Sequence, residues 1–143
     1  MRILALDLGD RWVGTALSDA LGITCKPYKT VTVPELHDFL RVVIPQERVT
    51  TVVIGYPKTF SGGQSDQTRK VVAVKEKLEQ QFGTVNDVAI AWILWDERLS
   101  SKRAAELVQK ARTPEEKQKS HSIAAAFILQ NYLDHLALSR QEF

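Results

Sequence analysis

The sequence predicts a single α/β domain with a mixed central sheet of about five strands flanked by helices. Three observations predict it. Short β-branched or apolar runs alternate with longer stretches whose apolar residues recur at helical spacing. Glycine and proline punctuate the boundaries between them. The 143 residues, 44% apolar and 25% charged, match an ordinary globular chain, with no repeat or linker to divide 1–143 into parts.

The elements follow in order. Ile3 to Leu8 is an apolar run interrupted only by Asp7, Gly9-Asp10-Arg11 offers a tight turn, and Trp12 to Ser18 reads as the returning strand of a hairpin. Gly22 marks the next turn, and Thr30 to Val33 suggests a third strand. Pro34 suits the first turn of a helix whose stripe is Leu36, Phe39, Leu40, Val43 and Ile44, and Pro45 should end or kink it. Thr51 to Gly55 is a short strand, followed by a polar loop through Tyr56-Pro57 and Ser61-Gly62-Gly63.

A second helix buries Val71, Val74, Leu78 and Phe82, with Gly83 as a left-handed stop. Val88 to Leu94 is apolar on both faces, the pattern of a strand at the centre of a covered sheet, and it delivers Asp96-Glu97-Arg98 at its carboxyl end. Ser100 caps a short helix through Ala111. Thr113-Pro114-Glu115-Glu116 then combines an N-cap, a first-turn proline and a capping-box glutamate, the strongest helix start in the chain, for a helix to about His135.

Composition excludes several classes. No apolar stretch approaches the roughly 18 to 20 residues of a membrane span, and the first residues lack the charged-then-apolar layout of a signal peptide, so no membrane partner and a cytoplasmic location are expected. Cys25 is the only cysteine, which rules out an internal disulfide or a cysteine-based zinc cluster. Net charge is a mild +2, but its distribution is uneven. Arg98, Lys102, Arg103, Lys110, Arg112, Lys117 and Lys119 are offset only by Glu106, Glu115 and Glu116, and a second basic run spans Lys58 to Lys77. Each run reads either as a nucleic-acid footprint or as a solvated helix face.

Asp7 is the first chemical anomaly, because a carboxylate in an apolar strand is costly unless a cation or hydrogen-bond donors meet it. It either caps the turn through amides near Gly9 and Arg11 or belongs to a site. Asp96 and Glu97 follow a strand whose carboxyl end is where ligands of open α/β sheets gather, and a parallel arrangement with the first strand would put all these acids on one edge. Crowded carboxylates repel unless a hard divalent cation neutralises them. The alternative for Asp96-Glu97-Arg98 is a surface ion-pair turn.

Asp7-Leu8-Gly9 with Arg11, Gly14, Ala16 and Ser18 resembles the N-terminal motif of the YqgF/RuvX family. Gly55-Tyr56-Pro57 with Gly62 is similar to that family's glycine-proline loop, Asp96-Glu97-Arg98-Leu99-Ser100 to its DERLT segment, and Ala124-Ala125, Ile128-Leu129-Gln130 and Tyr132-Leu133 to its last helix. The resemblance implies an RNase H-like fold and a metal-dependent nuclease site built from the first-strand Asp, the Glu of the DER segment and an Asp on the last helix. Here His121 stands three residues before Ala124, where the family pattern has that Asp.

His121 shares one helical face with Ala124, Ala125, Ile128 and Tyr132, and the small alanines would let that helix approach the sheet. It is either an ordinary helical histidine or a ligand or general acid/base. Imidazole in place of a carboxylate favours Mn2+ relative to Mg2+. His37 and His135 read as exposed and without a role.

The site expected is therefore Asp7, Glu97 and His121 around Mg2+ or Mn2+, with Arg11, Lys58, Arg69, Arg98, Lys102 and Arg103 as phosphate contacts. The partner expected is structured RNA or branched DNA, either precursor 16S ribosomal RNA at its 5′ end or a Holliday junction, and the chain is expected to act as a monomer or weak homodimer. One rival is a nucleic-acid-binding protein of the same fold whose catalysis is impaired by His121. Another is an ATP-binding lobe of actin-like type, suggested by Asp7-x-Gly9; it is disfavoured because that activity needs two lobes.

Overall fold

The computed structural model describes residues 1–56, 66–96 and 113–141. Strands β1 (Arg2–Leu8), β2 (Trp12–Ser18) and β3 (Cys25–Thr32) form a meander. A 3-10 turn at Val33–Glu35 leads into helix α1 (Leu36–Gln46), then strand β4 (Val49–Tyr56) and helix α2 (Asp66–Phe82). A small hairpin of β5 (Thr84–Val85) and β6 (Val88–Ala89) precedes β7 (Ala91–Asp96), and helix α3 (Pro114–Gln141) closes the order. The main sheet runs β3-β2-β1-β4-β7, antiparallel on the β2 side of β1 and parallel across β1, β4 and β7. This is the mixed five-stranded sheet that the alternating pattern predicts.

The two faces of the sheet follow from the period-two alternation of its strands. Leu4 and Leu6 of β1, Val13 and Leu17 of β2, and Val52 and Ile54 of β4 point to one side, where Leu36, Leu40, Val43 and Ile44 of α1 and Val71, Leu78 and Phe82 of α2 cover them. Ala5, Ala16 and Val53 point to the other side, against Ala125, Leu129, Leu133, Ile128 and Tyr132 of α3. The α3 start is capped as its sequence predicts: Thr113 Oγ1 accepts from the Glu116 amide at 3.1 Å, and the Thr113 amide donates to Glu116 Oε2 at 3.4 Å.

Several local expectations are corrected. The Val88 to Leu94 run is not one strand. Asn86 and Asp87 both have positive φ, 51° and 66°, making a tight two-residue hairpin that draws Val88–Ala89 back onto Thr84–Val85, so β7 starts only at Ala91. Nor is that strand central: β7 lies at an edge of the sheet, and its apolar faces are covered there by Tyr132 on one side and the α2 cluster on the other. Gly83 is not left-handed; an added Cβ would lie 2.7 Å from the Glu79 carbonyl oxygen, so the glycine serves a close approach. Helix α1 runs only one residue past Pro45, which lacks the N–H that an i→i−4 bond needs, and left-handed Arg48 at φ 54° turns the chain away. The third strand begins at Cys25 and α3 extends to Gln141, both longer than their sequence cues. The short helix expected from Ser100 to Ala111 lies outside the described residues.

Candidate functional site

The carboxyl ends of β1, β4 and β7 lie on one edge, because the three strands are parallel and in register through Leu6, Ile54 and Leu94. Asp7 is the next residue of β1, and Asp96 ends β7 opposite Tyr56 of β4. The condition under which the two acidic segments share an edge is thus met for Asp7 and Asp96. Glu97 follows Asp96 directly but lies outside the described residues, as do Lys58, Arg98, Lys102 and Arg103.

The direction of Asp7 is fixed by its neighbour. Asp7 pairs with Gly14 across β1 and β2, and directly opposed residues of an antiparallel pair project to the same side. A Cβ on Gly14 would lie 1.9 Å from the carbonyl oxygen of His121 and 3.0 Å from the amide nitrogen of Ser122. Helix α3 therefore rests its backbone on the one β2 position without a side chain, and the Asp7 carboxylate points to the face that His121 crosses. A glycine inside a strand is the sequence signal for such close backbone approach. Gly14 carried that signal beyond its place in the motif.

The environment of Asp7 matches no capping role. Among the described residues its carboxylate has no hydrogen-bond partner: the Gly9 amide donates instead to the Trp12 carbonyl at 3.0 Å, closing the turn without it. Burial alone raises its pKa from 3.8 to about 6. At neutral pH the group is mainly ionised in a place that disfavours the charge, the condition a cation or an added donor relieves. His121 is partly buried, and burial lowers its pKa, which keeps the imidazole neutral near pH 7. Among the described residues no cluster of three His, Cys, Asp or Glu side chains forms a complete metal-binding set.

The remaining predicted residues are less closely grouped. Arg11 is exposed in the β1–β2 turn with its guanidinium 5.7 Å from the centroid of the Trp12 ring. Arg69 is exposed on α2. His37 is not simply exposed, since its ring packs 5.3 Å from Phe82, while exposed His135 lies 5.0 Å from the ring of Trp95. No helix among the described residues is long and apolar enough to cross a membrane.

Comparison with known proteins gives a consistent result. The family described as "RuvX: Holliday junction resolvase" matches residues 1–135. A relative from Lachnospira eligens, named "Putative pre-16S rRNA nuclease", is 34% identical over 142 residues, covering 94% of this chain and 97% of its own length. A Geobacillus kaustophilus protein of the same name is 35% identical over 141 residues, covering 94% and 98%. Among solved structures, T. thermophilus RuvC in complex with a Holliday junction substrate superposes with a TM-score of 0.53 at 12% identity, covering 96% of each chain. The Fowlpox virus resolvase bound to Holliday junction DNA gives 0.51 at 14%, covering 95% of this chain and 99% of the resolvase. At such identities the structural likeness speaks for the fold, and the fold is the RNase H-like one that the sequence motifs imply. The match over nearly the whole length, together with relatives similar from end to end, makes this chain a member of the RuvX (YqgF) family.

Proposed function

We propose that this protein is a nuclease that hydrolyses phosphodiester bonds in structured nucleic acid, with Asp7, Glu97 and His121 holding Mg2+ or Mn2+. The observation that carries the reading is the Asp7 carboxylate, partly buried, without a partner among the described residues, and aimed at the face crossed by His121. Such a carboxylate is a better cation ligand than structural element, since its charge is a cost until it is neutralised. A neutral imidazole is the form of histidine that ligates a metal or accepts a proton. Glu97, next in the chain after the end of β7, would bring the second carboxylate.

In this reading, Asp7, Glu97 and His121 would hold a divalent ion, which would supply charge stabilisation at phosphorus and orientation of water. Asp7 on the parallel edge and Glu97, next in sequence after Asp96, would supply hard oxygen ligands, and His121 would either complete the set or move a proton. Arg11, Lys58, Arg69, Arg98, Lys102 and Arg103 meet phosphates, a contact that favours nucleic acid by shape and weakens with salt. The names of the relatives favour precursor 16S rRNA as the substrate, with its 5′ end the expected point of processing, and the junction-bound proteins of the same fold make a Holliday junction the other substrate to test. The protein is proposed to work in the cytoplasm as a monomer or weak homodimer.

The test is a cleavage panel of precursor 16S rRNA and a four-way DNA junction, each with Mg2+ and with Mn2+. Cleavage by the wild type that requires the ion and disappears in Asp7→Asn is expected; equal cleavage by that variant overturns the proposal. His121 at the position of the family aspartate favours a second reading, a nucleic-acid-binding protein with impaired catalysis. That reading expects salt-sensitive binding, no cleavage with either ion, and no gain in His121→Asp.

A further inference from the structure

Trp12 is placed unlike the other two tryptophans. Trp92 is buried among the side chains under α1 and α2, and Trp95 packs against Tyr132 of α3, but among the described residues Trp12 joins none of the apolar clusters. It is only half-buried, at the first position of β2. A large aromatic side chain that joins no core cluster and keeps part of its surface open is available for a contact outside the fold.

Its position relative to Asp7 follows from register. Trp12 lies two residues before Gly14 on β2, so it projects to the same side as Gly14 and hence as Asp7. The hydrogen bond from the Gly9 amide to the Trp12 carbonyl, 3.0 Å, keeps the ladder intact two pairs beyond Asp7 and Gly14. Two residues along a strand span about 7 Å. That sets the Trp12 and Asp7 positions about one nucleotide step apart along this face. The Arg11 guanidinium, 5.7 Å from the ring centroid, adds a cation at the same spot.

A partly exposed indole with a guanidinium over its ring fits an unpaired nucleobase, which stacks on the ring while its phosphate meets the cation. A paired base within a duplex cannot offer its face in this way. We infer that Trp12, with Arg11, is a stacking platform for an unpaired base of the nucleotide next to the phosphate held at Asp7. The protein would then prefer substrates that are single-stranded or open at the cleavage point. The inference rests on the nuclease reading and adds to it a positioning residue and a substrate feature.

The test uses tryptophan fluorescence in metal-free buffer, so that binding is read without cleavage, with a short oligothymidylate and a blunt duplex of equal length as probes. Stacking on Trp12 should quench wild-type emission with the oligothymidylate and much less with the duplex. Trp12→Phe should lose the quench yet bind within about threefold of wild type, because a ring remains; Trp12→Leu should bind about tenfold more weakly with an unchanged salt slope, since no charge is removed. An unaltered thermal midpoint in both variants separates these effects from misfolding. Quenching that persists in Trp12→Phe, oligothymidylate binding by Trp12→Leu equal to wild type, or equal quenching by the duplex would overturn this inference alone. A wild type that binds neither probe nor a four-way junction would remove the nuclease reading along with it.

Discussion

The two faces of the central sheet are built on opposite principles. Beneath α1 and α2 the strands present large branched side chains, Leu4, Leu6, Val13, Leu17, Val52 and Ile54, and the helices stand off at the distance those side chains require. Beneath α3 the matching positions of β1 and β2 are Ala5, Asp7, Gly14 and Ala16, and the helix settles until its own backbone touches the sheet at His121. The first face makes most of the apolar burial. The second gives some of it up, and in return a carboxylate lies close to a helix that carries an imidazole. Stability and candidate site are thus divided between sides of one sheet.

This division can be broken from either side. Gly14→Ala should have the largest effect, because its Cβ would fall 1.9 Å from the His121 carbonyl oxygen, and backbone cannot yield as a flexible side chain does. We expect a loss of more than about 3 kcal/mol in denaturant unfolding, together with loss of any response to divalent ions. Leu6→Ala on the opposite face should cost about 3 kcal/mol through the cavity it leaves, yet preserve the ion response in the remaining folded protein.

Asp7→Asn should move stability the other way. The folded-state pKa lies above the ordinary value, so the contribution of Asp7 is fully present below pH 3.8 and is lost as pH rises through about 6. The asparagine variant lacks that loss. In metal-free buffer its advantage over wild type should grow between those pH values and reach on the order of 2 kcal/mol, discounted from the full shift because the site retains some solvent contact. Thr113→Ala, which removes the cap of α3 two turns ahead of His121, should cost about 1 kcal/mol at every pH.

Much of the fold was legible because its signals are local. The Thr113 capping box, the apolar stripe of α1 and the glycine-centred turn after β1 each act within a few residues and appear where the pattern puts them. The misreadings arose where a competing local signal or a distant neighbour decided. Asn86-Asp87 captured two residues of an apolar run that looks continuous, and nothing in Ala91–Asp96 itself reveals that its strand sits at an edge. Asp7 was visible as a charge in an apolar strand, and His121 through its spacing from Ala124 and Ala125. The roles of Gly14 and Trp12 depend on the pairing of Asp7 with Gly14, a register that no single-strand pattern contains.

The central claim is that Asp7 is an electrostatic liability that a divalent cation resolves. The most direct measurement is the thermal midpoint of wild type and Asp7→Asn across a titration of Mn2+, repeated with Mg2+, since a ligand that binds only the folded state raises the midpoint with its concentration. The account predicts a rising midpoint for wild type, steeper with Mn2+, and a flat one for the variant, which starts higher. Parallel curves for the two proteins, or a wild-type midpoint indifferent to both ions, would contradict it.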